Sequence, residues 1–147
     1  MSRAAPSLTV RAARPDDAAD VAALLVELGY PDNDVDDVRR RLAAWEREAA
    51  GAALVAEQHG RVVAAVAVTA FPYLEREGRC GRVVALVVAA GHRGQGIGRR
   101  LVEAAEAAAA SFGCVRMESP ARATAPNRTT STGAWATRTG ATTARGT

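Results

Sequence analysis

Four glycines fall within the eight residues Gly91-His92-Arg93-Gly94-Gln95-Gly96-Ile97-Gly98. The segment stands between a β-branched run, Arg82–Val88, and a stretch of helical periodicity, Arg99–Phe112. A strand leading through glycines into a helix is a demanding arrangement. So much glycine costs backbone entropy that a plain turn would not need, and in return the chain can turn sharply and approach a ligand closely. The first N–H groups of the following helix have no partner within the helix and favour an anion. Arg93, Arg99 and Arg100 add positive charge nearby. A phosphate or pyrophosphate is the natural occupant.

The remaining periodicities surround this unit with an ordered set of elements. Leu8–Arg11 is strand-like, and Arg14-Pro15-Asp16-Asp17 announces a helix whose apolar residues Val21, Leu24, Leu25 and Leu28 precede Gly29 as C-cap. After the turn Pro31–Asp34, Val35, Val38, Leu42 and Trp45 form the stripe of a second amphipathic helix, with Arg39, Arg40, Arg41, Glu46 and Arg47 on or near its other side. Ala52–Glu57 and Arg61–Phe71 read as a hairpin around Gln58-His59-Gly60, with His59 an exposed turn residue. Glu75–Gly81 reads as a loop and Arg82–Val88 as a central, buried strand. Leu101, Ala105, Ala108 and Phe112 share one face of the next helix, which Gly113 ends before a last strand at Val115–Glu118. The order β-α-α-β-β-β-α-β predicts an α/β (α+β layered) domain.

With 147 residues the chain suits one domain and can bury roughly 68–70% of its unfolded surface. No apolar run reaches about 18 residues free of charge, and Met1–Val10 lacks the basic-then-apolar pattern of a signal peptide. The expectation is therefore a soluble, cytoplasmic protein with no membrane partner. Cys80 and Cys114 are too few for a disulfide framework or a zinc site and read as reduced, small apolar residues, so no metal is expected.

The formal charge of +3 invites a reading as a nucleic-acid binder, and its distribution removes that reading. All 16 acidic residues lie in 1–119 with 15 of the 19 basic ones, giving that stretch −1, while 120–147 carries four Arg and no acid. No nucleic-acid partner is expected.

Three phosphate-binding loops compete for the glycine segment. A P-loop needs Lys followed by Ser or Thr after its last glycine, and this chain has no Lys. A dinucleotide fingerprint would begin Gly94-x-Gly96, but Arg99 occupies its third glycine position and hairpin-like strands come first. Glu118 could still serve as its ribose-binding acid, so this reading is weakened and stays open.

The third fits best: Arg93-Gly94-Gln95-Gly96-Ile97-Gly98 resembles the Arg/Gln-x-x-Gly-x-Gly pyrophosphate loop of the GNAT superfamily of N-acetyltransferases. Leu86-Val87-Val88 before it, Leu101-Val102 after it, the two helices and hairpin upstream, and Gly113-Cys114-Val115 also resemble that superfamily in order and spacing, over residues 8–119.

The resemblance implies a GNAT-like acyl-CoA N-acyltransferase fold, a mixed central sheet flanked by helices. It also implies acetyl-CoA as co-substrate, lying between splayed parallel strands at Arg82–Val88 and Val115–Glu118. Leu86, Val87 and Val88 would contact the pantetheine through backbone groups, and Arg93, Gly94, Gln95, Gly96, Ile97, Gly98 and Arg99 would hold the pyrophosphate. A primary amine of a small molecule or peptide would attack the thioester directly in a ternary complex, with a main-chain N–H polarising its carbonyl. That chemistry needs no enzyme nucleophile, but a protonated amine needs a base or a water relay. No carboxylate lies within Val83–Val88, where some members place one; Glu57, Glu75 and Glu77 remain open by chain position and no catalytic residue is named. Asp32, Asp34, Asp36 and Asp37, between the first two helices, would either attract a cationic acceptor or cap and charge the second helix. The oligomeric state is open, a homodimer among the options.

The superfamily should continue with a helix carrying Phe-Tyr, then Leu-Gly-Tyr or Leu-Gly-Phe, and closing strands. Residues 120–147 hold nine of the eleven Thr, a lone Trp135 and no Leu, Val, Ile or Phe, too little apolar surface to offset the entropy of ordering. Read from the third base of each codon, with Ser131 as a TCN codon, Thr130–Thr137 encodes [Phe/Leu/Ile/Val]-[Tyr/His/Asn/Asp]-[Arg/Gly/Trp]-[Arg/Gly/Cys/Ser]-[Leu/Met/Val]-Gly-[Tyr/His/Asn/Asp]. Phe-Tyr-Arg-Arg-Leu-Gly-Tyr is within that pattern, so the expectation is a domain at 1–119 and a frameshifted tail at 120–147. A tail genuinely without the motif would leave a degenerate acyl-CoA-binding protein with little or no turnover.

Overall fold

The computed structural model describes residues 7–118; residues 1–6 and 119–147, and with them the reading of the tail, lie outside the described residues. Five strands, β1 (Leu8–Ala12), β2 (Gly51–Gln58), β3 (Arg61–Pro72), β4 (Arg79–Val88) and β5 (Cys114–Glu118), form one sheet in chain order. The first four are antiparallel neighbours, and β4 and β5 are parallel. Three helices, α1 (Ala18–Glu27), α2 (Val35–Glu46) and α3 (Ile97–Ser111), complete the expected element order. A parallel neighbour requires a crossover, and α3 supplies it.

Each helix covers one face of the sheet. Val21, Ala22 and Leu24 of α1 and Val38 and Leu42 of α2 pack with Val55, Val62 and Val87 on one side. On the other, Ile97, Leu101, Ala105 and Ala109 of α3 pack with Val63, Val66, Val68 and Val83. The four α3 residues are spaced by four, so they lie along one stripe. This stripe corrects the expected one: Ala108 sits at its margin and Phe112 follows the helix as its C-cap. The α2 stripe is also narrower than expected, because Val35 is exposed and Trp45 only half-buried.

Several element ends shift by one residue from the sequence reading, and two starts shift further. Strand β4 begins at Arg79 rather than Arg82, so Gly81 is a strand residue. A glycine inside a strand marks a close approach: a Cβ there would lie 2.6 Å from Met117 Sδ and 2.9 Å from Ala109 Cβ. Helix α3 begins at Ile97 rather than Arg99 because the Ile97 side chain is a core anchor, 3% exposed. The central strand is also not buried throughout. A register shift pairs Ala67 with Ala85 but Val68 with Val83, leaving Val84 bulged out and 47% exposed. The β2–β3 turn is as expected, with His59 exposed; His59 and Gly60 both have positive φ, 56° and 75°, as a tight hairpin turn requires.

Candidate functional site

The chemistry-bearing unit is the end of β4, the glycine segment and the start of α3. The Ala89 N–H donates to the Val63 carbonyl at 2.9 Å. Amide groups alternate sides along a strand, so Val87, opposite Ala65, also directs its N–H and C=O toward β3, while Leu86 and Val88 direct theirs away from it. Among the described residues no strand lies beside β4 on that outer edge after Arg82. Side chains alternate in step: Val87 is buried against the α1–α2 layer, and Leu86 and Val88 pack on the α3 side. Of the three residues expected to offer backbone groups, Leu86 and Val88 are turned outward and Val87 is committed to β3.

A single 3-10 turn, Ala90–His92, leads from β4 into the glycines. Gly94 and Gly96 have φ of 84° and 80°, and a Cβ on either would meet nothing within 4 Å. They are therefore required by backbone conformation, and the space beside them is open. Gly91 has neither constraint, and Gly98 already belongs to α3, 3.6 Å from Val88 Cγ2 if given a Cβ. Gly96 is the N-cap of α3, no side chain caps the helix, and its hydrogen bonding begins with Arg100 N–H to the Gly96 carbonyl at 3.1 Å. The N–H groups of Ile97, Gly98 and Arg99 thus open the helix without a side-chain acceptor, which suits an anion. Gln95 and Arg99 are exposed beside them, and Ile97 can contribute only through its backbone.

Arg93 is placed otherwise than the motif suggests. Its Nε donates to the Val88 carbonyl at 3.0 Å, and its Nη2 lies 3.5 Å from Glu27 Oε1. The same Glu27 oxygen accepts the Ala90 N–H at 2.8 Å. The arginine folds back on its own strand, and the last residue of α1 holds both the turn and the guanidinium. The sequence reading passed over Glu27 because the partners are 63 and 66 residues apart. The one local signal is a carboxylate at a helix C-terminus, where the dipole opposes it. His92 Nδ1, also in this turn, is buried without a hydrogen-bond partner.

The other candidates are committed elsewhere or exposed. Glu57 accepts from Arg11 Nε at 2.9 Å, and Arg11 also binds both oxygens of buried Asp17, at 2.8 and 2.9 Å. Glu75 and Glu77 stand exposed in the loop between β3 and β4. Three of the four aspartates near the start of α2 are used within it: Asp34 caps it by accepting the Asp36 N–H at 3.0 Å, while Asp36 pairs with Arg39 and Asp37 with Arg40; Asp32 stands exposed in the preceding turn. For Asp34, Asp36 and Asp37 this is the geometry of the capping reading. Glu118, considered earlier only as a ribose-binding acid, is buried at the end of β5 and accepts from Arg82 Nε at 3.0 Å and Nη2 at 2.7 Å.

Burial pushes up both thiols, Cys80 and Cys114, and no disulfide joins them. The Tyr73 phenol near Cys80 is pushed up to about 12, chiefly by burial, and its hydroxyl is buried without a hydrogen-bond partner. No group of three or more His, Cys, Asp and Glu among the described residues is placed to hold a metal, and none of their helices is long and apolar enough to cross a membrane. A groove of about 460 Å³ lined by Ala109, Cys114 and Met117 lies at the far end of α3 from the glycines, away from this unit.

Comparison with known proteins places the chain by family and fold. The model of the acetyltransferase (GNAT) family matches residues 19–136, most of the chain and past its last described residue. A GNAT family acetyltransferase of Staphylococcus aureus superposes with a TM-score of 0.71 at 20% identity, over 83% of this chain and 89% of that one. Glucosamine-6-phosphate N-acetyltransferase of Arabidopsis thaliana gives 0.71 at 21% identity, over 78% and 82%. An aminoglycoside N-acetyltransferase in complex with CoA gives 0.72 at 16% identity, over 88% and 84%. These likenesses speak to a shared fold. No curated protein matches the sequence.

Proposed function

From the premise that this chain belongs to the GNAT acetyltransferase family, we propose that it moves an acetyl group from acetyl-CoA to a primary amine of a small molecule or peptide, by direct attack in a ternary complex. The family uses acetyl-CoA. The observation that carries the proposal for this chain is the continuity of two surfaces. The outward amides of Leu86 and Val88 run directly into the open, uncapped start of α3. The first suits the amide-bearing pantetheine arm and the second the pyrophosphate, held by backbone N–H groups of Gly94 to Arg99 with the Arg99 and Arg100 charges nearby. Val87 supports from the core, and Gln95 and Arg99 remain free to reach the phosphates. Orientation of amine and thioester then supplies most of the acceleration. Glu57 is engaged by Arg11 and the pair Glu75 and Glu77 is exposed, so we assign the base to none of them.

Two measurements test this. Acetyl-CoA should raise the melting temperature where NAD and ATP do not, as ligands that bind only the folded state do. An amine panel should then give CoA thiol release that depends on the amine. Stabilisation by NAD alone would return the chain to dinucleotide binding.

Acetyl-CoA binding without turnover would instead favour a degenerate acyl-CoA-binding protein, a reading supported by the missing Phe-Tyr and Leu-Gly-Tyr of 120–147. For that tail we propose a slip of reading frame near Pro126 or Asn127. Resequencing the gene decides, since a coding sequence with no Phe-Tyr-x-x-Leu-Gly-Tyr in the other phase is incompatible with it.

A further inference from the structure

Glu27 ends α1 where the helix dipole disfavours a carboxylate, and no basic residue in the last turn offsets it. A residue that breaks a local rule is explained by what it does at a distance. Glu27 Oε1 accepts the Ala90 N–H at 2.8 Å and faces Arg93 Nη2 at 3.5 Å, while Arg93 Nε closes on the Val88 carbonyl at 3.0 Å. Ala90 and Arg93 bracket the 3-10 turn through which β4 enters the glycines. Within the segment, the His92 N–H reaches the Ala89 carbonyl at 2.9 Å and the Arg93 N–H the Ala90 carbonyl at 3.4 Å, and the buried Ile97 anchors its far end. Gly91, Gly94 and Gly96 between them offer no side chain to pack, and no atom lies within 4 Å of where a Cβ would be.

We propose that Glu27 is the positioning residue of the pyrophosphate loop. From α1 it fixes the turn Ala90–His92 and the Arg93 side chain, so that the N–H groups opening α3 are already arrayed when the diphosphate arrives. The site then does not meet the cost of ordering a glycine-rich segment at the moment of binding. The inference rests on the functional reading above in naming the ligand a CoA diphosphate; the placement of the loop by Glu27 stands apart from it. Arg93 in this account closes the loop and takes up the Val88 carbonyl, leaving the Val88 N–H and both Leu86 groups for the ligand's amides.

The test compares the full chain with Glu27→Ala and Glu27→Gln. In the ligand-free protein, Glu27→Ala should speed amide exchange over residues 90–97 and leave the sheet's exchange unchanged. Its melting temperature should hold or rise, because the helix dipole is relieved. Acetyl-CoA affinity by calorimetry should fall about three- to tenfold, the scale of one hydrogen bond at a part-exposed site. Glu27→Gln keeps an acceptor for the Ala90 N–H and should recover most of both effects. Unchanged loop exchange overturns the proposal, as does an equal acetyl-CoA affinity in wild type and Glu27→Ala. A drop in melting temperature with faster exchange throughout α1 and the sheet also overturns it, making Glu27 an ordinary stabilising residue. A wild type that binds no acetyl-CoA fails the functional reading and the diphosphate with it, while the exchange comparison still decides whether Glu27 holds the loop.

Discussion

Gly81 of β4 and Met117 of β5 face each other across a parallel strand pair, so closely that a Cβ on Gly81 would fall 2.6 Å from the Met117 sulfur. Ala109 Cβ, 2.9 Å away, closes the same space from α3. The methionine end can yield; the alanine, fixed on a helix backbone, cannot.

Gly81→Ala is therefore expected to destabilise the protein by about 1–3 kcal/mol, the usual cost of overpacking a core. Urea unfolding checks it. A midpoint equal to wild type would mean that β5 is not held where the structure has it.

Gly94→Ala and Gly96→Ala each place a side chain at positive φ, a strain of about 1–3 kcal/mol that the loop must either absorb or relieve by moving. Acetyl-CoA affinity should fall by about tenfold in each, while Gly91→Ala, which meets no contact and no positive φ, should bind as wild type does. Calorimetric titration of the three variants side by side is the measurement.

The Asp17 carboxyl is held below the usual carboxylate range, first by its hydrogen bonds from Arg11, against the cost of burial, with the Arg14 N–H at 2.8 Å adding to the effect. A depressed folded-state value stabilises above the unfolded one, about 3.9, and that stability is lost as pH falls through the folded value. Arg11→Met should consequently unfold at lower urea than wild type between pH 6 and 8, and the gap should narrow below about pH 4. A gap independent of pH would remove the pair from the acid response.

Cys80 is fully buried and its thiol is pushed up by that burial, so iodoacetamide at pH 8 should leave it unmodified until urea unfolds the chain. Cys114→Ala should acetylate any accepted amine at the wild-type rate, since the direct attack proposed above needs no thiol. Peptide mass mapping and thiol-release assays give the two answers.

Much of this was readable from residue order because the signals are local. Four of the glycines sit within eight positions, α1 and α2 carry their stripes in a few turns, and His59-Gly60 announces its own hairpin. What escaped is non-local. Gly81 looked like loop because glycine seldom serves a strand interior, and only β5 and α3 closing over it explain the residue. Val84 left the buried pattern through a bulge set by pairing with β3. Arg93 was legible as part of the loop but its orientation was not, because that depends on a carboxylate 66 residues earlier. The four aspartates were legible as a cluster, while the use of Asp34, Asp36 and Asp37 inside α2 depends on side-chain geometry that composition does not carry.

The sheet's order, β1-β2-β3-β4-β5, repeats the order of synthesis. From β2 onward every strand emerges to find its neighbour already made, so the sheet can lengthen from a single growing edge as translation proceeds. The parallel step from β4 to β5 breaks this rhythm: it must wait for the fifteen residues of α3 to coil back across the face. The glycine segment is thus where the nascent chain leaves the growing edge, and the turn at Gly113 brings it back before its final described strand can dock.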